Sequence, residues 1–297
     1  MNAKNLPMPS PASRLRRAPV VVLLGLAAAC SGALGHRSVA ELASDLPIGP
    51  AVRRIRIVVP DGPIGIDHGD ARTVEIRGGV RRAADSAEDL AALERIPLAF
   101  TAATDPEDPS LLVVRAPERG PSDPIGVFAF ELGIRVPAEL PLEVQIAGNS
   151  SVVIANRRAP TVVSLGRGDL RFENCHGGID ARTGRGQVLA FGCRGDVDLH
   201  TKVGHMQAWI DEPGRQLRLV TGQGTIQCFV PAELGFELDA RAETGEVHAS
   251  AFGLEEERVG RFGAVMTGQR GDGHTRIVLR TGSGHLSLSP PKAARDS

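Results

Sequence analysis

A short phrase that recurs about every twenty residues constrains the fold of this chain more than any other feature. In each copy, apolar residues stand two and four positions after a turn residue, which is usually glycine. The turn residues are Ser150, Gly168, Gly186, Gly204, Gly224, Gly245 and Gly284. The successive intervals are 18, 18, 18, 20, 21 and 39 residues, the last being about two periods with an inserted loop. Such a period is typical of architectures built from stacked repeats.

A second alternating segment accompanies the first in most copies. Apolar residues stand seven and five positions before the glycine, in the pairs Ile179/Ala181, Val197/Leu199, Leu217/Leu219, Leu238/Ala240 and Ile277/Leu279. Each period therefore contains two strands with one buried face, joined by a glycine turn. One such unit cannot bury its apolar face alone, but stacked units build a continuous core. The pattern predicts an all-β fold, a parallel β-solenoid (β-helix) with coils of about 18–21 residues; an antiparallel sandwich of hairpins is the alternative.

The first half of the same domain has strand patterns without the strict period. Alternating apolar segments predict strands at Ile55–Val59, Val74–Ile76, Leu111–Val114, Val127–Phe130 and Leu142–Ile146. One short helix is predicted over Ala87–Arg95, near the N-terminal end of the solenoid. Ser86 and Asp89 have the spacing of a helix cap, and Pro97 prevents continuation of the helix.

The start of the chain has the pattern of an export signal. Basic residues precede the apolar run Val20–Ala29, which is about half of the roughly 20 residues that a membrane-spanning helix needs. We therefore expect residues 1–29 to be a signal peptide and residues 30–50 a tether. Residues 51–289 form the predicted solenoid domain, and residues 290–297 form a disordered tail.

Cys30 is the candidate for lipid attachment. It follows the run Leu26–Ala29, and this arrangement resembles the lipobox of bacterial lipoproteins, although the leucine stands one position further from the cysteine than is usual. The resemblance implies cleavage before Cys30 and a lipid anchor in the cell envelope. Ordinary cleavage after Ala29 would instead leave a soluble periplasmic or secreted protein, and an uncleaved anchor is a third possibility.

Composition excludes some functions. The net charge is −1 and the pI is about 6.7, so the chain lacks the basic surface by which proteins bind nucleic acid. Aromatic residues make up 3% of the chain, with one tryptophan and no tyrosine. Sites for sugars and drug-like ligands usually depend on aromatic platforms, so the composition argues against a sugar-cleaving enzyme.

The cysteines differ in their positions within the repeat. Cys175 and Cys193 each stand seven residues after their turn glycine, in successive coils. Adjacent parallel strands lie about 4.8 Å apart, a separation that a disulfide can bridge, and an exported protein meets oxidising conditions. We predict a Cys175–Cys193 disulfide, with two buried free thiols as the alternative. Cys228 occupies an inward position as an inert thiol, and we expect neither a metal site nor a cofactor.

Two carboxylates and one row of basic residues are predicted to face outward. Asp180 and Asp198 have the same offset in adjacent coils, where they repel each other unless Arg182 and Arg218 neutralise them. The alternatives are a bound calcium ion or a catalytic acid pair. The candidate ligand-facing row consists of Arg182, His200, Arg241 and Arg280, which would meet an anionic envelope glycan or a protein.

The repeat is similar to that of the bacterial putative-adhesin domain family. Residues 238–247 and 277–286 carry the turn motif T-x-[ST]-G or a close variant, and the family repeats a G-D-[VI] phrase after that turn. In this chain Gln187, His205, Thr225 or His285 stands where the family favours aspartate. The resemblance covers about residues 54–289 and implies an exported or envelope-attached β-solenoid without established catalytic residues.

These observations lead to one principal functional hypothesis. The chain is expected to be a non-enzymatic, exported envelope lipoprotein that uses an adhesin-like solenoid for surface binding, scaffolding or signalling. Its expected partners are the membrane, through the N-terminal lipid, and an envelope glycan or protein. The alternatives are a carbohydrate-active β-helix enzyme, a lyase or hydrolase that uses Asp180 and Asp198, and a soluble periplasmic regulatory module.

Overall fold

The computed structural model describes residues 35–118, 120, 125–254, 257–259 and 261–291. Within these residues, almost all regular structure belongs to one mixed sheet of 21 strands, which confirms the all-β prediction. The predicted signal peptide (residues 1–29), Cys30 and residues 292–297 lie outside the described residues. None of the helices within the described ranges is long and apolar enough to cross a membrane.

The strands of the first half include all five predicted ones. They are β1 (His36–Pro47), β2 (Arg54–Val59), β3 (Ile64–His68), β4 (Thr73–Ala84), β5 (Thr101–Thr104), β6 (Leu111–Arg115), β7 (Val127–Val136), β8 (Leu142–Asn149) and β9 (Val152–Ala155). The helix α1 (Ala87–Glu94) is present as predicted, one residue shorter because Arg95 is its C-cap. The Ser86 side chain accepts a hydrogen bond of 3.0 Å from the backbone N–H of Asp89 and so caps the helix.

The second half continues with twelve strands in the described ranges. They are β10 (Thr161–Arg167), β11 (Leu170–Glu173), β12 (Ile179–Arg185), β13 (Val188–Val203), β14 (Met206–Gln223), β15 (Ile226–Phe229), β16 (Phe236–Thr244), β17 (Val247–His248), β18 (Glu257–Val259), β19 (Gly263–Arg270), β20 (Thr275–Ser283) and β21 (Leu286–Ser289). One short 3-10 helix, Ser250–Phe252, follows β17.

Parallel pairing joins the repeats in two columns. The first column contains β2, β8, β10, β12, the later parts of β13 and β14, β20 and β16. The second contains β3, β9, β11, the early parts of β13 and β14, β15, β21 and β17. Equivalent positions of successive copies are paired: Ile179 with Val197, and Val188 with Met206. The apolar residues of each copy thus lie beside those of the next, and they form one continuous core.

The last repeat is out of sequence order. Strand β20 pairs with β14 on one side and with β16 on the other, and β21 lies likewise between β15 and β17. The final copy is therefore inserted between the two copies that precede it in the chain. Strand β19, in the long interval before that copy, pairs antiparallel with β16. It covers an edge that would otherwise present unpaired backbone groups.

Antiparallel strands and the helix complete the N-terminal end. Strand β4 pairs antiparallel with both β1 and β7, and α1 packs against β4 and β1 with Leu93 completely buried. Strand β1 lies within residues 30–50, the range assigned to a tether. Only Leu42 of this strand is buried. Backbone pairing along its whole length therefore holds β1 in place, with little help from apolar burial, and hydropathy alone gives a weak signal for such a strand.

The turns of successive copies approach one another closely. Gly204 has φ of +154°, and a Cβ atom at this position would overlap the backbone carbonyl oxygen of Gly186 in the adjacent copy. That carbonyl also accepts a hydrogen bond of 3.4 Å from the Thr201 hydroxyl. In the next copy, the Thr221 hydroxyl donates an equivalent hydrogen bond of 3.0 Å to the backbone carbonyl of Gly204. The repeat therefore needs glycine for contact between coils as well as for its backbone angle.

We predict that Gly204→Ala lowers the free energy of unfolding by about 3 kcal/mol, because it adds backbone strain and an overlap with the neighbouring turn. Gly253→Ala is the matched control, since Gly253 has φ of +74° but no atom within 4 Å of an added Cβ. We expect the control to cost about 1 kcal/mol. Urea unfolding of both variants measures the difference in the free energy of unfolding. Equal losses of stability in the two variants would contradict the close approach of the turns at Gly204 and Gly186.

Candidate functional site

The outward positions of the two columns form two different surfaces. We call the outward positions of the first column the charged face. It comprises Arg56, Glu143, Asp180, Arg182, Asp198, His200, Arg218, Asp239, Arg241 and Arg280. We call those of the second column the aromatic face. It comprises Val153, Arg171, Leu189, Phe191, Gln207, Trp209, Gln227 and Phe229.

The structure brings the four residues of the predicted ligand-facing row together on the charged face. Arg182 pairs with His200, and Arg280 pairs with Arg241. Val220 separates these two pairs, because it is the partner of both His200 and Arg280. The order along the face therefore differs from the order in the sequence, which follows from the insertion of β20 between β14 and β16.

Carboxylates neutralise much of this row. Arg182 Nη2 lies 3.5 Å from Asp180 Oδ2, and Arg280 forms an ion pair with Asp239. Arg218 Nη1 lies 3.5 Å from Asp198 Oδ2. The pairing of Asp180 and Asp198 with arginines is the neutralisation expected from the sequence.

His200 adds no positive charge to the face at neutral pH. Its partial burial lowers the pKa of the imidazole below the ordinary value of 6.5, although the negative charge of Asp198 acts to raise it. The positive charges of Arg218 and Arg182 lower the pKa of His200 further. The imidazole is therefore neutral at pH 7, and the charged face as a whole has nearly equal numbers of positive and negative groups.

The carboxylates of the charged face border a shallow cavity of about 260 Å³. Asp180, Asp196 and Asp198 line it together with Gln216. Asp196 accepts a hydrogen bond of 2.9 Å from the backbone N–H of Gln216. Within the described ranges, no group of three or more histidine, cysteine or acidic side chains is arranged to hold a metal ion.

Cys175 and Cys193 lie side by side in adjacent coils. Both are free thiols and completely buried, so the structure does not contain the predicted disulfide. The hydrogen bond between the two thiols lowers the pKa of Cys175 and raises that of Cys193. The two thiols are in contact, and the disulfide stays a prediction. Cys228 is buried as expected, and burial raises the pKa of its thiol to about 12.

A buried arginine beside these thiols is a feature that the sequence did not indicate. Arg157 is completely buried and donates hydrogen bonds to the backbone carbonyls of Pro137, at 2.6 Å, and Leu140. Burial lowers the pKa of Arg157 to about 10, so the side chain remains charged at pH 7. Its positive charge helps to lower the pKa of Cys175. In the sequence, Arg157 stands beside Arg158 in a segment that looks like an exposed loop.

A stack of aromatic rings is the second feature that the sequence interpretation missed. Phe191, Trp209 and Phe229 occupy paired positions on the aromatic face. The ring centroids are 4.4 Å apart between Phe191 and Trp209 and 4.7 Å apart between Trp209 and Phe229, and the rings are nearly parallel. We call these three residues the aromatic ladder. Each stands five residues after its turn glycine, a regularity that could have indicated the stack.

The aromatic ladder is part of a half-exposed surface. Its three rings and the neighbouring Leu189 are partly accessible to solvent. Beside them, the Gln207 side chain donates a hydrogen bond of 2.7 Å to Gln227 in the next coil. The low aromatic content of the chain is therefore compatible with a local aromatic surface, because stacking brings together residues that are about twenty positions apart.

No family model matches this chain, and no curated protein matches it. Among solved structures, the chain is similar to a putative cell adhesion protein from Clostridium sporogenes, with 10% sequence identity and a TM-score of 0.34. The match covers 85% of this chain and 100% of the other. A similarity of this size supports no conclusion about the family or function of this chain.

We predict that Cys175 and Cys193 form a disulfide when the protein is exported to an oxidising compartment. Closing this loop should stabilise the fold by about 3 kcal/mol. Purified protein would be unfolded, alkylated without reductant and mapped by mass spectrometry. Cys228 should be alkylated, which provides an internal control, whereas Cys175 and Cys193 should be recovered as one linked peptide pair. Alkylation of all three would contradict the prediction.

Proposed function

We propose that this chain is a non-enzymatic, exported envelope lipoprotein. In this proposal, its parallel coils form a β-solenoid that presents a rigid lateral surface for binding, scaffolding or signalling. The N-terminal lipid on Cys30 attaches it to a membrane of the bacterial cell envelope, on the periplasmic or the surface side.

The aromatic face is the observation that carries the binding role. A sheet packed on one side only normally carries polar groups on the other, yet this face carries three stacked aromatic rings and Leu189, all partly accessible to solvent. Clustered apolar surface of this kind is typical of interaction sites. In-register pairing of the strands fixes the spacing of these side chains, so a partner meets a preformed surface.

The charged face supports binding less strongly. Its arginines and carboxylates are paired within the face, so an anionic glycan would have to compete with existing ion pairs. Exposed ion pairs of this kind contribute little to stability, about 0–1 kcal/mol each. We therefore assign the main contact with a partner to the aromatic face, and treat the charged face as a self-neutralising, solvated surface.

A carbohydrate-active enzyme is the second candidate, because Asp180, Asp196 and Asp198 border one cavity. The ion pairs of Asp180 and Asp198 with arginine oppose a role as general acid, since a general acid must carry a proton to donate. Cleavage of an envelope polysaccharide that is lost in Asp198→Asn would favour this candidate over the binding role.

Lipid attachment is tested by metabolic labelling with an alkyne analogue of palmitate. The native chain should be labelled and recovered in the membrane fraction, whereas Cys30→Ala should be unlabelled. Cys228→Ala serves as the control and should be labelled like the native chain, because the Cys228 thiol is completely buried. Absence of label from the native chain would contradict the lipoprotein assignment and favour ordinary cleavage after Ala29.

A further inference from the structure

We infer that the end of the aromatic ladder at Phe229 binds the guanidinium group of an arginine side chain on a partner protein. The inference rests on the proposed binding role, because it names the chemistry that the aromatic face recognises. It concerns a cavity that the sequence patterns did not indicate, and it depends on the two ends of the stack being different.

The first end of the ladder already carries a guanidinium group. The Arg171 guanidinium carbon lies 5.1 Å from the centre of the Phe191 ring, over its face. Arg171 also forms an ion pair with Glu173, which is the strand partner of Phe191. A cation thus covers the outer aromatic face, and an adjacent carboxylate holds the cation. Such an arrangement is favourable because the ring face is electron-rich.

At the other end, no basic residue of the described ranges lies over the ring of Phe229. The strand partner of Phe229 on that side is Ser289, whose small side chain cannot cover an aromatic ring. A cavity of about 350 Å³ is bordered by Phe229 and Trp209 and closed in part by Pro231, Pro290 and Pro291. This volume is at the lower end of the range for small-ligand pockets, and it is large enough for an arginine side chain.

The charges around this cavity favour a positively charged occupant. Asp211 and Glu233 line it, and both are exposed. Among the described residues that line the cavity, none is basic. Two carboxylates beside an aromatic ring attract a cation and repel an anionic glycan.

The stacked geometry favours guanidinium over a sugar. A sugar ring packs on an open aromatic face. Within the ladder each ring face is covered by the neighbouring ring, so only the outer faces of Phe191 and Phe229 remain. A guanidinium group is planar, stacks on an aromatic ring and donates paired hydrogen bonds to carboxylates. An ammonium group lacks this planarity, so arginine should bind more tightly than lysine.

The ladder contains its own reporter, because Trp209 is the single tryptophan of the chain. We would titrate the protein with N-acetyl-arginine methylamide and follow the fluorescence of Trp209. The matched probe is the citrulline analogue, which has nearly the same shape but no charge. We expect a saturable change with the arginine probe and at least about tenfold weaker binding of the citrulline probe. Equal responses to both probes, or no saturation, would overturn the inference.

Two variants locate the site. The double variant Asp211→Asn, Glu233→Gln changes only exposed side chains. It should weaken binding of the arginine probe by at least about threefold. Asp198→Asn on the charged face is the matched control and should bind like the native chain. Loss of binding in the control, or native binding in the double variant, would overturn the assignment.

A third variant tests whether a basic residue of the chain itself, rather than one of a partner, occupies the cavity. The sequence continues beyond Pro291 with Lys292 and Arg295, either of which has the required charge. A chain that ends at Pro291 should bind the arginine probe as the full chain does. Binding that appears only in the shortened chain would overturn the partner assignment, because the site would then belong to the chain itself.

Failure of this inference is distinguishable from failure of the proposed function. Palmitate labelling at Cys30 reports on the envelope attachment and does not depend on the cavity. Labelled protein without arginine binding would retain the lipoprotein proposal and remove the guanidinium site. Arginine binding without label would retain the site and remove the lipid anchor.

Discussion

The close approach of neighbouring turns sets the geometry of the whole sheet. At six of the seven copies, a glycine with positive φ leaves no Cβ between its own turn and the carbonyl oxygen of the adjacent one, as at Gly204 over Gly186. In four copies, a threonine three residues earlier donates its buried hydroxyl to that same carbonyl, as Thr201 does. Because both contacts repeat, the strand segments that flank these turns pair in register, and their inward apolar residues meet their equivalents in the next copy.

Fixed register also decides the chemistry of the surface. On the charged face it places Asp198 beside Arg218 of the next strand, and within one strand Asp180 lies beside Arg182, so that these charges largely cancel. On the aromatic face it stacks three rings that the sequence separates by 18 and 20 residues. The same constraint therefore makes the charged face neutral and solvated and the aromatic face partly apolar and preformed. The proposed binding role uses the aromatic face.

The sequence predicted the strands, the helix cap at Ser86 and the side-by-side position of Cys175 and Cys193, because these depend on local pattern and on a constant period. It did not predict the position of β20, because a repeat phrase carries no information about the order in which its copies pair. It missed Arg157 for a different reason: burial of that guanidinium depends on carbonyl groups at Pro137 and Leu140, which no pattern around Arg157 reveals. The aromatic ladder was detectable, since its members share one offset, but composition alone had argued against an aromatic site.

Disulfide trapping on the charged face tests whether successive repeats pair in register. Arg182 and His200 are strand partners, so their Cα atoms lie about 4.8 Å apart, within reach of a disulfide. Val220 is one further strand away, at about twice that distance. In-register pairing predicts that Arg182→Cys with His200→Cys crosslinks on mild oxidation, whereas Arg182→Cys with Val220→Cys does not. Crosslinking of the second pair as readily as the first, or of neither, would contradict the account.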